Sequence, residues 1–350
     1  TRVIPLLAAR ERVPVLIRSG KVLELTGEWA QSHEAYSEAL ALATAHGDRA
    51  DAAWARTWIA EVARKQGRYD EAAEELDTAA REFAMLGDDA GAGQVLHFTG
   101  TLAAQRGNYD GATRAYQDSY QIRERLGDLA NMAALLSNLA IVAEYRGDYD
   151  TAADLNERAL ELRVQDGNRW AIGISHNNLG MIAVLQQDFS AAKARFEQSM
   201  RLHREVGDTW MVGLGRNNLG NAHRGLGEYD DARREYAAAL GTYRAYDDDW
   251  ALAILYEDVA LLAAATGPVE SCVRLVGAAD ALRERIGSPR APDVQAQVDR
   301  ALDALRPVLG VALDGHTDSG RSLSDAQADA EVLRVCDPAG PSHSQVLEAI

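Results

Sequence analysis

An eight-residue segment near the carboxyl end of the chain has the spacing of a phosphate-binding loop. Gly315-His-Thr-Asp-Ser-Gly-Arg-Ser322 follows the pattern GxxxxGK[ST], with Arg321 in place of the lysine. A working loop needs a preceding strand inside a parallel sheet and a lysine that reaches the phosphates. No second strand is available in this sequence, so we predict that the segment binds no nucleotide. Ser324 and Gln327 instead predict a capping box for a short helix.

The other residue types that carry out catalysis or bind metals form no recognisable pattern. His176, His203 and His223 stand singly, without HExxH spacing or a paired cysteine, so no metal site is predicted. Cys272 and Cys336 are too far apart for a CxxC pair, which fits a reducing cytoplasm. The nucleophile-elbow pattern GxSxG does not occur. We therefore expect a cytoplasmic protein that is not an enzyme and uses no cofactor.

Composition narrows the range of partners. The 350 residues carry a formal net charge of −17, and 47% of them are hydrophobic, which can build a core. Phosphate binding needs clustered Lys and Arg, so nucleic acid is not expected as a direct partner. No apolar run approaches the length of a membrane span. The start, Thr1 to Pro5, is neither an initiator methionine nor a signal peptide, so we interpret the chain as a piece of a longer protein or as a trimmed form.

The elements that must position any site recur every 40 residues. One ladder of glycines has Gln187 in its single gap and consists of Gly27, Gly67, Gly107, Gly147, Gly227 and Gly267. A second ladder runs twenty residues out of phase, has Asp247 in its gap, and consists of Gly47, Gly87, Gly127, Gly167, Gly207 and Gly287. A fixed period of this size indicates supersecondary units that bury their apolar faces only against their neighbours.

The sixth unit, residues 213–248, predicts a pair of helices. Gly220 allows close approach in the first helix, Gly227 ends that helix, and Asp230 is expected to cap the second. The second helix has the spacing of a buried stripe, in Ala232, Tyr236, Ala239 and Leu240. In other units a Gly-Asp pair is expected to end one helix and begin the next, at 47–48, 87–88, 127–128 and 207–208.

These columns resemble the tetratricopeptide repeat, with its Leu-Gly, its Gly-x-Tyr turn and its small residues in the second helix. The turn aromatics are Trp29, Tyr69, Tyr109, Tyr149, Phe189 and Tyr229, and the helix alanines are Ala72, Ala112, Ala152, Ala192 and Ala232. The resemblance covers roughly residues 13–287, and the 40-residue period, longer than the usual 34, predicts helices of about five turns. It implies an all-α fold, a right-handed superhelical solenoid of about seven hairpins.

The domain boundaries follow from the same pattern. We expect the solenoid to occupy residues 1–287 and the capping helices to occupy 288–336, since an end repeat needs a polar outer face. Two capping helices are expected, one of them from Pro292 to about Leu309, and residues 337–350 begin as a loose tail.

The succession of long repeats, the segment 272–287 and the proline-led helix resembles the C-terminal half of large bacterial transcriptional activators. These are signal-transduction ATPases of the LuxR-like or antibiotic-regulatory-protein-like type, in which DNA-binding and nucleotide-binding domains precede the repeats. Neither domain is present in this chain. The resemblance implies a non-catalytic sensor or protein-interaction domain, and the alternative is a freestanding scaffold that joins proteins.

In tetratricopeptide proteins the first helices line a concave groove, and the resemblance places amide side chains there. One column is Asn138, Asn178 and Asn218, continued by Asp258; its neighbour is Ser137, Asn177, Asn217 and Glu257, followed by Asn221 and Arg224. Amides both donate and accept, so such a ladder can bind a peptide backbone. The same amides could equally bond one another and hold the stack in register. The paired Lys, Asn and Arg of the family's carboxylate clamp are absent from these columns.

Three tryptophans form a further column, since Trp170, Trp210 and Trp250 each begin a first helix. An exposed row would anchor a partner, whereas a repeated Trp is more often part of the core, as it could be for Trp54 and Trp58. The expected partners are a protein, a peptide or a small effector in the groove, or the nucleotide-binding module of the full-length protein. A homo-oligomer is compatible with the sequence, and a membrane partner is not expected.

Overall fold

The structure of the protein is a computed structural model that describes residues 9–337. These residues form seventeen α-helices and no strand: α1 Ala9–Leu25, α2 Trp29–Ala45, α3 Arg49–Lys65, α4 Tyr69–Leu86, α5 Asp89–Gln105, α6 Tyr109–Leu126, α7 Leu129–Tyr145, α8 Tyr149–Asp166, α9 Arg169–Leu185, α10 Phe189–Glu205, α11 Thr209–Leu226, α12 Tyr229–Ala245, α13 Asp249–Thr266, α14 Val269–Ile286, α15 Pro292–Leu309, α16 Ala312–Arg321 and α17 Asp325–Cys336. None of the described helices is long and apolar enough to cross a membrane.

The chain divides into two compact units, which meet in sequence at Gly167 and Asn168. Unit 1 contains α1 to α8 and unit 2 contains α9 to α17. Within each unit, helices pair in chain order as hairpins, α1 with α2 through α7 with α8, and α9 with α10 through α13 with α14. The predicted all-α fold of seven hairpins, with helices of about five turns, is therefore confirmed.

Each turn within and between the seven hairpins depends on a left-handed backbone at one residue. The ladder glycines all have positive φ, for example 68° at Gly47 and 75° at Gly227. Gln187 (φ 62°) and Asp247 (φ 50°) adopt the same conformation although they are not glycines. The repeat therefore imposes the left-handed conformation even at positions without glycine, the residue that adopts it without steric cost.

Side-chain caps begin most first helices. The Asp48 carboxylate accepts from the backbone N–H of Asp51, and Asp208 accepts from that of Met211, as the Gly-Asp pairs predict. The prediction that Asp230 caps α12 is wrong. Glu228 holds the N-cap position without a side-chain cap, and Asp230 lies in the first turn, because the helix resumes directly after Gly227. There its charge favours the positive end of the helix dipole.

The two helices of a hairpin cross at a small residue whose identity follows its partner. Glycine stands at this point where the residue sixteen positions later is aromatic, in the pairs Gly20–Tyr36, Gly100–Tyr116, Gly180–Phe196 and Gly220–Tyr236. A Cβ at Gly180 would lie 2.5 Å from Cε1 of the fully buried Phe196. Alanine stands there where the partner is smaller, in the pairs Ala60–Leu76, Ala140–Asn156 and Ala260–Val276. The crossing residue is thus smallest where its partner is an aromatic ring, as close packing requires.

Three helices, rather than two, follow the last hairpin. The proline-led helix α15 has the predicted bounds, and the Ser324–Gln327 capping box starts α17 as predicted. Between them, α16 includes most of the segment with phosphate-loop spacing, so Gly315 and Gly320 lie inside a helix. Gly320 allows α16 to approach α14, since a Cβ there would lie 2.1 Å from the Arg274 carbonyl oxygen.

Candidate functional site

The asparagine columns join successive hairpins through hydrogen bonds between residues 41 positions apart. In unit 2, Asn218 Nδ2 donates to Asn177 Oδ1 at 2.9 Å, and Asn217 Nδ2 donates to Asp258 Oδ2 at 2.6 Å. Asn217 and Asn218 are buried, at 1% and 6% exposure. In unit 1, Asn138 Nδ2 lies 2.8 Å from His97 Nε2 with the same separation. Most of the predicted amides therefore hold neighbouring first helices in register.

Asp258 is the centre of a second polar group on unit 2. Besides Asn217, the Asn221 amide donates to its carboxylate at 3.0 Å, and Arg224 lies 3.9 Å away. The Tyr236 hydroxyl donates to Asn221 Oδ1 at 2.7 Å. Burial raises the pKa of Asp258, while Arg224 and the two amides act in the opposite direction. Asn221 and Arg224 are therefore also held by contacts within the protein.

Asn178 is the exception among these amides. Its side chain is half-buried and makes no hydrogen bond to any other residue in the described part of the chain. Asn177, beside it, uses its Oδ1 to bind Asn218 and has no described acceptor for its Nδ2. Met181, one turn further along α9, is 42% exposed. We call Asn177, Asn178 and Asn218 the amide face of unit 2, and Asn178 is its most open member.

The tryptophan column connects hairpins through their helix caps. Trp170 Nε1 donates to Asp208 Oδ2 and Trp210 Nε1 donates to Asp248 Oδ2, both at 2.8 Å, while the other oxygen of each aspartate caps its own helix. Trp170 and Trp250 are 47% and 46% exposed, so the interpretation of this column as core is wrong for them. Trp250 has no hydrogen bond within the described residues. The position 38 residues after it, where Trp170 and Trp210 find their aspartates, holds Ser288, and the next helix starts later.

Sequence reasoning left Trp54 and Trp58 open between core and partner anchor, and it missed the aromatic cluster that they form with Phe98 and Tyr36 in unit 1. The Trp54 and Trp58 rings stack at 6.4 Å between centroids, Phe98 meets Trp58 edge-on at 5.4 Å, and Tyr36 stacks on Trp58 at 6.4 Å. Lys21 Nζ lies 3.9 Å from the centroid of the Trp58 ring. The 40-residue spacing could have revealed this cluster. Arg18, Trp58 and Phe98 occupy one column of the repeat, which continues as Asn138.

A cavity of about 450 Å³ in unit 2 is lined by charges that already neutralise one another. Arg283 and Arg290 both bind the buried Glu257 carboxylate, and Arg290 also donates to Asp280 at 2.7 Å. Arg321 pairs with Glu284 across the rim. These pairs attach the segment after α14 to the last hairpin, so the cavity is part of the end of the fold.

Comparison with protein families decides the classification. A family profile described as tetratricopeptide repeat matches residues 51–125 and 131–205, and a second profile of the same description matches 215–245, together just over half of the chain. The chain belongs to the tetratricopeptide repeat family. The comparison with curated proteins gives no significant match.

Solved structures share this tetratricopeptide fold at low sequence identity. A Signal Transduction ATPase with Numerous Domains from Pyrococcus horikoshii, described as having a tetratricopeptide repeat sensor, is 12% identical at a TM-score of 0.63. The match covers 91% of this chain but 45% of that protein. Apo RapI is 13% identical at a TM-score of 0.62, covering 79% of this chain and 98% of its own. A Rap protein complexed with Competence and Sporulation Factor is 14% identical at a TM-score of 0.55, covering 93% and 96%.

His223 lies in a cluster that its isolation in sequence does not suggest. Its Nδ1 is 2.5 Å from Glu228 Oε2. One nitrogen or carboxylate oxygen from each of His223, Glu228 and Asp231, atoms of the kind that bind metals, lies within 4.8 Å of the others. Lys193 pairs with Glu228 and Arg234 pairs with Asp231, so cations of the protein already neutralise both carboxylates. In this tetratricopeptide array the cluster is an ion-pair network at a hairpin turn.

His97 of unit 1 is a histidine whose titration affects the pH dependence of stability. Burial lowers its pKa to about 4, with Arg123 and Arg64 acting in the same direction and Glu61 opposing them. The unfolded state, with a pKa of about 6.5, then binds a proton before the folded state does. We expect stability to fall by up to about 3 kcal/mol as the pH drops from 6.5 to 4, with no contribution above this range.

Urea unfolding at a series of pH values checks this expectation against His97→Gln. Glutamine retains a partner for Asn138 but does not titrate, so the stability difference between the two proteins should depend on pH only below about 6.5. Parallel stability profiles would mean that His97 is protonated equally easily in both states.

Proposed function

We propose that this tetratricopeptide array is a non-catalytic, cytoplasmic binding domain for a protein or peptide, and the sensor part of a bacterial multidomain regulator. The observation that carries the proposal is the amide face of unit 2, where Asn178 has no partner within the described residues and Met181 is exposed beside it. Amide groups that both donate and accept suit a peptide backbone, and an exposed thioether suits an apolar side chain.

The surrounding hydrogen bonds support binding by reducing its entropic cost. Asn218 and Asn217 connect α9, α11 and α13 through the bonds to Asn177 and Asp258. A face whose neighbours are already fixed loses little conformational freedom when a ligand binds. The Asn178 side chain is thus an open position beside amides that bond from one hairpin to the next.

The regulatory part of the proposal draws on two fold relatives. One is described as an ATPase with a tetratricopeptide repeat sensor, and the other was solved in complex with Competence and Sporulation Factor. A ligand regulates only if it favours one of two arrangements of the whole protein, so the partner of the array would include the nucleotide-binding module. A freestanding scaffold is the alternative, and a full-length sequence without a nucleotide-binding domain would favour it.

Asn178→Ala is the informative variant, because the side chain has no hydrogen bond to lose among the described residues. We expect peptides selected from a phage-displayed library against the wild-type protein to bind at least tenfold more weakly to Asn178→Ala, measured by fluorescence anisotropy. The free energy of unfolding should change by less than about 0.5 kcal/mol.

Gln198→Ala, which removes an exposed amide from the second helix α10, is the control and should leave binding unchanged. Asn217→Ala is unsuitable, because it removes a bond to Asp258 and alters the fold as well. A library without any enriched peptide, or enriched peptides that bind Asn178→Ala normally, would contradict the proposed role of the amide face.

A further inference from the structure

Unit 1 presents an apolar platform whose aromatic rings support one another. Trp54 and Trp58 stack at an interplanar angle of 17°, and Phe98 packs edge-on against Trp58 at 75°. All three side chains are only partly buried. Because each ring is held by the next, the platform is rigid and offers apolar area at little cost in conformational entropy.

Lys21 lies on this platform without a counter-ion. The chain has three lysines; Lys65 pairs with Glu24 at 3.2 Å and Lys193 pairs with Glu228 at 2.8 Å. Lys21 has no carboxylate within ion-pair distance among the described residues, and its ammonium instead lies 3.9 Å from the Trp58 ring centroid. A cation–π contact holds the ammonium in position while its N–H donors stay available.

The nearby acids bond to other groups, although the charge of Glu24 still acts on Lys21. Glu24 binds the Tyr36 hydroxyl and Lys65, and Glu61 is bound by both Nε and Nη2 of Arg64 at 2.7 Å. Both glutamates are buried. Arg18 is exposed and has no ion pair within residues 9–337, and it takes the register position that Trp58 takes in the next hairpin. Arg18 and Lys21 are therefore two cations without an ion pair among the described residues, on a chain of net charge −17.

We propose that Arg18, Lys21, Trp54, Trp58 and Phe98 form an acid-binding face that takes a segment of a partner protein carrying Asp or Glu beside an aromatic or aliphatic side chain. The carboxylate accepts from the Lys21 ammonium, and the apolar side chain covers the remaining surface of the Trp54–Trp58 stack. The ammonium is already positioned by the ring, so the ion pair forms without first restricting a flexible lysine. This face lies in unit 1 and does not depend on the amide face of unit 2.

The test uses an array of twelve-residue peptides in three sets that share their apolar positions. The charged positions carry Glu in the first set, Gln in the second and Lys in the third. We expect the labelled wild-type chain to bind the best Glu peptides at least tenfold more tightly than their Gln counterparts, and the Lys set most weakly. Binding to the Glu set should weaken as salt is added. Lys21→Glu should abolish the preference and Lys21→Arg should keep it.

Arg114→Glu is the matched control, because it makes the same charge change at an exposed second-helix arginine of the same unit. It should leave the preference intact. Equal binding of the three peptide sets, no binding at all, or a preference unaltered by Lys21→Glu would overturn the acid-binding face. Asn178→Ala separates the two proposals: an acid preference that survives this substitution, together with unaltered peptide affinity, would reject the amide face and leave the acid-binding face standing.

Discussion

Replacing Glu257 with alanine is expected to lower the free energy of unfolding by about 3–5 kcal/mol. The Glu257 side chain is 2% exposed and accepts from Arg283 Nε at 2.5 Å, Arg283 Nη2 at 2.8 Å and Arg290 Nε at 2.8 Å. Its removal leaves two guanidinium groups that are themselves 10% and 6% exposed without their shared carboxylate. Arg290 keeps its bond to Asp280, whereas Arg283 loses its carboxylate partner altogether. A buried charge left without a partner is much more costly than the pair was stabilising.

Urea unfolding measures this loss, and Glu284→Ala is the control. Glu284 also pairs with an arginine, Arg321, but its side chain is 67% exposed. A surface pair contributes at most about 1 kcal/mol, because water and salt screen it. Similar losses in the two variants would show that the Glu257 site admits water and that the end of unit 2 is less closed than its contacts indicate.

Gly180→Ala is expected to lower the free energy of unfolding by about 2 kcal/mol, although alanine favours a helix by about 1 kcal/mol over glycine. The new Cβ would lie 2.5, 2.7 and 2.9 Å from three atoms of the Phe196 ring. Phe196 is fully buried, so the ring cannot move without disturbing the residues around it. The clash therefore outweighs the gain in helix propensity.

A double-mutant cycle with Phe196→Leu tests the cause of this loss. The hairpin of α3 and α4 already combines alanine and leucine at these two positions, as Ala60 and Leu76. We expect the double variant to lose clearly less stability than the sum of the single variants, since leucine makes room for the added methyl group.

Gly241→Ala is the opposite control, because Gly241 lies inside α12 and a Cβ there would meet nothing within 4 Å. This substitution should stabilise the protein by about 0.5–1 kcal/mol. Equal effects at Gly180 and Gly241, or strictly additive effects in the cycle, would refute the explanation from volume at the helix crossing.

Part of the helix packing in this repeat can be predicted from the sequence alone. The alternation of Gly and Ala at the helix crossing is visible in the sequence, and so is the aromatic or aliphatic residue sixteen positions later. The connection between the two columns became clear only from the distance between Gly180 and the Phe196 ring. In the same way, Gln187 and Asp247 are gaps in a glycine ladder, yet their backbones follow the ladder.

The candidate sites were less accessible to sequence reasoning. The amide columns were compatible with a ligand-binding surface and with hydrogen bonds that hold the helices in register. The residue types alone did not distinguish the two. Asn217 and Asn218 use their donors on neighbouring hairpins, whereas Asn178 is free within the described residues. The Trp column was likewise compatible with core packing and with an exposed anchor. In the structure, the Trp170 and Trp210 indole N–H groups bond the capping aspartates 38 residues further on.

The sequence by itself determined the hairpins, because helix ends, capping aspartates and the 40-residue period are set by contacts within a few turns of chain. Only the tertiary structure decided which polar groups remain open, because that depends on partners 26 to 41 residues away in sequence, such as Arg283 for Glu257 and Asn177 for Asn218. An unused donor such as Asn178 or Lys21 has the same residue type as a satisfied one. What distinguishes them is the position of the neighbouring hairpin, which no local pattern encodes.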